Sequence, residues 1–164
     1  AFTDNDLIPM VKIITPEAIP SKGGRDILFQ AVSERAEIEK VFVSPEVVYK
    51  LIDASGGVVR DLMRLLLFAA DYTELDGRIT EGKAERAIHK LVREYDRLIH
   101  QDDLPVLLEV IRNPHIASSA TLSRLMYNRL VLPYVNDEEW VGLHPAVSNA
   151  PTFRAALKVD AARA

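Results

Sequence analysis

An arginine at the start of a predicted helix is the residue of this chain best placed to bind an anion. Gly56 and Gly57 end one apolar-periodic segment, and Arg60 lies in the first turn of the next. A helix N-terminus has unpaired N–H groups and the positive end of the helix dipole, which both favour an anion. The guanidinium adds a permanent charge and a planar donor fork that fits phosphate oxygens. Arg60, Gly56 and Gly57 are therefore the candidate phosphate site, and a plain turn with a solvated arginine is the alternative.

Four predicted helices surround this site. Apolar residues repeat with a helical period from about Arg25 to Glu37, and Ser44-Pro45-Glu46 is a start signal for a second helix that ends at the glycine pair. A third helix is predicted from about Val58 to Leu75, and Thr80 caps a fourth. Together they predict a small bundle over residues 22–101. Residues predicted to face the core on the first and third helices are Ile27, Leu28, Ala31, Val32, Val59, Leu62, Met63, Leu66 and Ala70.

The segment 102–150 has a different order of elements. Asp103 is expected to cap a helix, and Ser119–Leu130 forms the next one. Two apolar arms that carry aromatic residues then flank a polar turn at residues 136–139, which predicts a β-hairpin. Helix, helix and hairpin in this order are typical of a winged-helix domain with its wing. Residues 151–164 are expected to form a short C-terminal helix and an alanine-rich tail.

The order of these features resembles the lid of AAA+ P-loop ATPases, in particular the replication-initiator branch and related bacterial ATPases. The resemblance rests on Arg35 at the end of the first helix, the step Phe42-Val43-Ser44, the run from Ser55 to Leu66 and the Thr80-capped helix. It covers roughly the middle half of the chain. It implies that Arg60 is the sensor-2 arginine, which contacts the γ-phosphate of ATP from the lid. It also implies a winged helix directly after the lid, and therefore a mainly α fold with a four-helix lid bundle followed by a winged helix with one hairpin.

The catalytic parts of such an ATPase do not occur in this sequence. The chain has no GxxxxGK[ST] loop to hold phosphates and no apolar run ending in Asp-Glu to hold magnesium. ATP and Mg²⁺ are therefore expected in a core domain of a longer parent protein, and residues 1–21 are expected to be the connector from that core. The opening residues, which lack an initiating Met, fit a piece of a longer protein. Family members form rings or filaments, so a homo-oligomeric parent is a further expectation.

A regulator that binds DNA or protein, without nucleotide chemistry, is the alternative function. Arg124, Asn128 and Arg129 lie on the predicted second helix of the winged helix and could contact DNA. The net charge of the chain is −4, however, and residues 101–164 hold six Lys and Arg against seven Asp and Glu. The predicted wing tip, residues 137–139, is acidic and would repel phosphates. A protein partner is therefore favoured over DNA.

Composition excludes several other classes of site. The chain has no cysteine, so disulfides and thiolate zinc sites are excluded. His89 and His100 are eleven residues apart on one predicted helix and cannot share a metal ion, and the other two histidines lie in separate elements, so no metal site is predicted. The longest apolar stretch, from Leu62 to Ala70, is too short to cross a membrane. A cytoplasmic setting fits these features.

Overall fold

A computed structural model describes residues 10–75, 77–135 and 139–162 of the chain, and these residues are mainly helical with one two-stranded antiparallel hairpin. The mainly α fold class is therefore confirmed. The helices are α1 (Lys22–Ser33), α2 (Ile38–Val41), α3 (Pro45–Ala54), α4 (Val59–Asp71), α5 (Glu81–Asp96), α6 (Leu104–Arg112), α7 (Ala120–Tyr127), α8 (Pro145–Ser148) and α9 (Pro151–Ala161), and the strands are β1 (Val131–Val135) and β2 (Glu139–Leu143).

The predicted cap at Thr80 is confirmed, since its hydroxyl accepts a hydrogen bond from the backbone N–H of Lys83 at the start of α5. Ser119, predicted only as the first residue of its helix, caps α7 in the same way and accepts a hydrogen bond from the Leu122 N–H. Ser44 makes no such bond with its side chain, so α3 begins with Pro45 and without a side-chain cap. The sequence does not predict α2 and α8, because four residues are too few to show a helical period.

The hydrophobic core is continuous between the predicted bundle and the predicted winged helix. Leu51, Leu62 and Leu91 of the bundle helices belong to the same buried cluster as Leu125 of α7 and Val147 of α8. The helices α8 and α9 pack against α5, which closes the C-terminal elements onto the bundle. Residues 22–101 and 102–150 therefore share one core.

The buried face of α4 differs from the predicted one by about one residue. Val59 is 48% exposed and Ala70 is exposed, although both are predicted to face the core. The face that packs inward instead carries Asp61, Leu65 and Ala69, all fully buried. The prediction is wrong here because a carboxylate is assumed to point to solvent, and this one points into the protein. Ile27 of α1 is likewise exposed rather than buried.

The segment before α1 packs tightly against two glycines. The N–H of Val11 donates to the carbonyl of Gly57 over 3.2 Å, and Ile13 is buried in the main core. A Cβ on Gly57 would lie 1.9 Å from the Val11 oxygen, and a Cβ on Gly24 would lie 1.9 Å from the Lys12 oxygen. The described part of the predicted connector is thus held closely by the helices around it. α1 begins at Lys22 and includes Gly24, earlier than the predicted start at about Arg25, and this close approach requires glycine at position 24.

Replacing Gly57 with alanine should destabilise the fold. The new methyl group would clash with the Val11 carbonyl, and the positive φ of 82° is strained for any residue with a side chain. We expect the free energy of unfolding to fall by about 3 kcal/mol, measured by chemical denaturation.

Gly82→Ala is the matched control for this substitution. Gly82 lies in α5, and a Cβ there would meet nothing within 4 Å. This variant should keep the parent stability or gain up to about 1 kcal/mol. Equal losses in the two variants would contradict the role assigned to the close approach at Gly57.

Candidate functional site

Arg60 lies in the first turn of α4 with its side chain 61% exposed. Its closest ion partner is Asp61, and Arg60 Nε is 4.0 Å from Asp61 Oδ1, at the outer limit of a salt bridge. Within residues 10–75, 77–135 and 139–162, its guanidinium makes no other ion pair and no hydrogen bond. The side chain is therefore open to solvent, which both the phosphate-site prediction and the solvated-arginine alternative expect.

The glycine pair before α4 faces protein. Gly56 and Gly57 have φ angles of 64° and 82°, in the left-handed region that favours glycine. The carbonyl of Gly56 accepts a hydrogen bond of 2.9 Å from the Tyr134 hydroxyl, and a Cβ at this position would overlap Leu132 and Pro145. Packing against the hairpin and the N-terminal segment thus accounts for both glycines. Both glycines are packed against protein, so Arg60 is the predicted phosphate-site residue that is open to solvent.

A buried polar cluster lies directly behind Arg60. Its centre is Asp61, which is fully buried in the first turn of α4. The Tyr95 hydroxyl donates to Asp61 Oδ2 over 2.6 Å, and Arg64 Nη1 donates to Oδ1 over 2.9 Å. Arg64 also binds Glu94 of α5, so the carboxylate connects the two helices through both partners.

His144 brings the hairpin into this cluster. It directly follows β2 and caps α8, where its Nδ1 accepts a hydrogen bond of 3.0 Å from the Ala146 N–H. The proton of the neutral ring is therefore on Nε2, which is 3.3 Å from Asp61 Oδ2 but not aligned for a good hydrogen bond. The imidazole also stacks on the Tyr95 ring, with centroids 4.3 Å apart. Asp61 is thus in contact with residues from α4, α5 and the end of the hairpin.

The cluster sets the charges of its members. Burial by itself would raise the pKa of Asp61, but the contacts with His144, Tyr95 and Arg64 outweigh it and hold that pKa well below its usual range. Burial lowers the pKa of His144, and the opposing effect of Asp61 is smaller. Burial and the adjacent carboxylate both raise the pKa of Tyr95. At neutral pH the cluster therefore contains a carboxylate, a neutral imidazole and a neutral phenol.

Sequence reasoning does not find this cluster. It does not single out Asp61 or His144. The available signals are an acid in the first turn of a helix and a histidine directly before the proline that starts α8. Neither signal indicates burial.

The predicted DNA-binding residues are partly occupied by contacts within the protein. Arg124 binds the buried carboxylate of Asp103, and Asn128 Nδ2 donates to the Arg124 carbonyl over 3.1 Å. Asp103 makes no side-chain cap for α6; its other oxygen accepts the His100 N–H over 3.0 Å. Arg129 has a positive φ of 60° in the turn between α7 and β1. Residues 137 and 138 of the predicted acidic wing tip lie outside the described residues.

The predicted β-hairpin is confirmed, since β1 and β2 pair as antiparallel strands. Tyr134 and Trp140 are cross-strand partners, and their rings stack with centroids 4.3 Å apart.

Among the described residues, no group of three or more His, Asp or Glu could hold a metal ion. No helix in the described part of the chain is long and apolar enough to cross a membrane.

Comparison of the chain with protein-family models, with curated proteins and with solved structures finds no match in any of the three. The functional inference is therefore based on the geometry around Arg60 and Asp61, together with the resemblance in sequence.

Replacing Asp61 with asparagine should destabilise the protein. The substitution keeps the size of the side chain but removes the charge that Arg64 and Tyr95 bind. We expect the free energy of unfolding at pH 7 to fall by about 2–3 kcal/mol. Asp71→Asn, at the exposed end of α4, should change it by less than about 0.5 kcal/mol. A loss no larger for Asp61→Asn than for this control, measured by chemical denaturation, would contradict the role given to the cluster.

The buried neutral His144 should make stability depend on pH. Its pKa in the folded state lies below the value of about 6.5 for an unfolded histidine, so between these values the unfolded chain binds more protons. Stability should therefore decrease as the pH falls below about 6.5, with a contribution of at most about 1.4 kcal/mol per pH unit. His144→Gln should remove this contribution between pH 6.5 and 5, whereas His89→Gln, on the exposed face of α5, should keep it. The same slope in His144→Gln and the parent would show that another group is responsible.

Proposed function

We propose that this chain is the lid and winged-helix part of an AAA+-type ATPase, and that Arg60 senses a nucleotide phosphate held by the core of that ATPase. The observation that carries the proposal is the exposed Arg60 side chain next to Asp61, which is buried and in contact with the hairpin. ATP and Mg²⁺ belong to the core in this proposal. In this proposal the chain supplies the cation of Arg60, and the contacts of Asp61 transmit its displacement to the hairpin.

The position of Arg60 supports the sensing role. A free guanidinium in the first turn of a helix combines a full charge with the positive end of the helix dipole, and both attract phosphate oxygens. The N-terminal segment also contacts Gly57 through Val11, three residues before Arg60. The first described residues of the chain therefore lie close to the start of α4.

The buried cluster supports coupling to the winged helix. Asp61 follows Arg60 in the same helical turn, so a pull on Arg60 also displaces the carboxylate that Tyr95 and Arg64 bind. His144 at the end of the hairpin is 3.3 Å from that carboxylate. Because the bundle and the winged-helix elements share one core, they would move together as a unit when the nucleotide is bound or hydrolysed.

A protein-binding regulator without nucleotide chemistry is the second candidate. Tyr127 at the end of α7 is 84% exposed, and exposed aromatic residues are frequent anchors of protein interfaces. The cation on the same helix, Arg124, is bound to Asp103, which makes DNA reading by α7 less favourable than a protein contact. A protein partner at the winged helix is also compatible with the ATPase proposal, in which a homo-oligomeric parent is possible.

The sensing role can be tested in the protein that joins this chain to its ATPase core. Arg60→Ala should lower kcat for ATP hydrolysis at least tenfold, since one lost charge contact to the transferred phosphate costs about 1.4 kcal/mol or more. The melting temperature should stay close to that of the parent, because the Arg60 side chain is mostly exposed. Arg60→Lys should retain part of the activity.

Arg154→Ala is the control, since it removes an exposed cation from α9. Turnover should be unchanged in this variant. Unchanged turnover in Arg60→Ala would remove Arg60 from the mechanism. A parent gene without a phosphate-binding loop upstream of residue 1 would exclude the ATPase proposal and leave the protein-binding regulator.

A further inference from the structure

Four cations form a stripe along one face of α5. Arg86, Lys90 and Arg93 lie in α5, and Arg97 directly follows it in a helical conformation. The spacing of four, three and four residues places the four side chains on the same side of the helix. At 1.5 Å per residue the stripe is about 16 Å long. Lys90 is half-buried and the three arginines are exposed. We call these four residues the α5 stripe.

The acidic residues of the same helix form no salt bridge with this stripe. Each of them has a partner on another element: Glu81 and Glu85 bind Lys50, Glu94 binds Arg64, and Asp96 accepts a hydrogen bond from the Thr152 N–H. In the described part of the chain, no member of the α5 stripe makes a salt bridge. The stripe is therefore a local excess of positive charge on a protein of net charge −4.

Two aromatic rings, Phe68 of α4 and Tyr72 directly after it, hold half of the stripe in place. Lys90 Nζ is 3.7 Å from the centroid of the Phe68 ring, and Arg86 Cζ is 4.2 Å from that of Tyr72. Such cation–π contacts restrict long side chains without neutralising their charge. A shallow pocket lies beside them, lined by Tyr72, Lys90, Arg93, Glu94 and Arg97. The stripe is thus partly ordered before any ligand binds.

We propose that the α5 stripe binds the phosphodiester backbone of a nucleic acid without reading its base sequence. A row of unpaired cations fits a ligand with a row of regularly spaced negative charges. Base stacking is disfavoured because Lys90 and Arg86 already cover the rings of Phe68 and Tyr72. A protein partner is disfavoured because the stripe has no open apolar residue at its centre to act as an anchor. This proposal does not depend on a role for Arg60.

The proposal predicts binding that weakens steeply with salt. The full chain would be titrated against fluorescein-labelled 20-nucleotide DNA, single-stranded and duplex, and binding followed by fluorescence anisotropy. If four phosphates are contacted, the affinity should fall about 50-fold for the single strand and about 150-fold for the duplex between 50 and 200 mM salt. Sequences of different composition should bind alike.

The variant Arg93→Ala/Arg97→Ala tests the stripe and leaves both ring contacts intact. It should weaken binding at 50 mM salt at least tenfold and reduce the slope of log affinity against log salt by about 1.4 to 1.8. The matched control is Lys22→Ala/Lys158→Ala, which removes two exposed cations from α1 and α9. This control should bind almost as well as the parent.

Three results would overturn the proposal. The first is no binding at 50 mM salt, and the second is an equal loss of affinity in the stripe variant and the control. The third is binding to polyglutamate that exceeds binding to DNA, which would assign the stripe to an acidic protein segment.

Discussion

The contacts of the buried carboxylate of Asp61 determine how α4, α5 and the hairpin fit together. A charge removed from water is stable only when donors replace the water, and here Tyr95 and Arg64 do so. These donors are fixed in space, so Asp61 also fixes the rotation of α4 about its axis. The same rotation brings Leu65 and Ala69 into the core and leaves Arg60 outside. The exposure of the candidate site is therefore a consequence of the burial of its neighbour.

Close backbone packing adds a second constraint. Gly57 admits the carbonyl of Val11, and Gly56 receives the Tyr134 hydroxyl, so the turn before α4 contacts both the N-terminal segment and the hairpin. With the shared core, this turn joins residues 22–101 to the C-terminal elements. In the proposed ATPase, an effect at Arg60 would therefore move both parts together relative to the proposed core domain more easily than it would separate them.

The sequence predicts the elements better than their orientation. Helical periodicity and the cap at Thr80 locate the long helices, and the aromatic arms predict the hairpin, in which Tyr134 and Trp140 are cross-strand partners. Periodicity cannot identify a buried Asp61, because it classes acids as exposed, and it therefore misplaces the face of α4. His144 is also missed, since its contact with Asp61 joins residues far apart in the chain. For Arg60, the sequence predicts a side chain exposed to solvent at the start of a helix, and the structure has it there. The function proposed for Arg60 stays a prediction.

The difference between α7 and α5 shows that a cation is available to an anionic ligand only when no carboxylate of the protein binds it. Arg124 lies on the helix that would contact DNA in a winged helix, but it forms a salt bridge with Asp103. Among the residues that the structure describes, the four cations of the α5 stripe have no such carboxylate partner, because the acids of α5 bind elsewhere. Arg64 contacts Glu94 and Phe68 contacts Lys90, so α4 and α5 are antiparallel. The start of α4 therefore lies beside the end of α5, and Arg60 is at the same end of this helix pair as Arg97. The two proposed anion sites would therefore be neighbours on one rigid pair of helices, and each would raise the local positive potential that the other presents to phosphate.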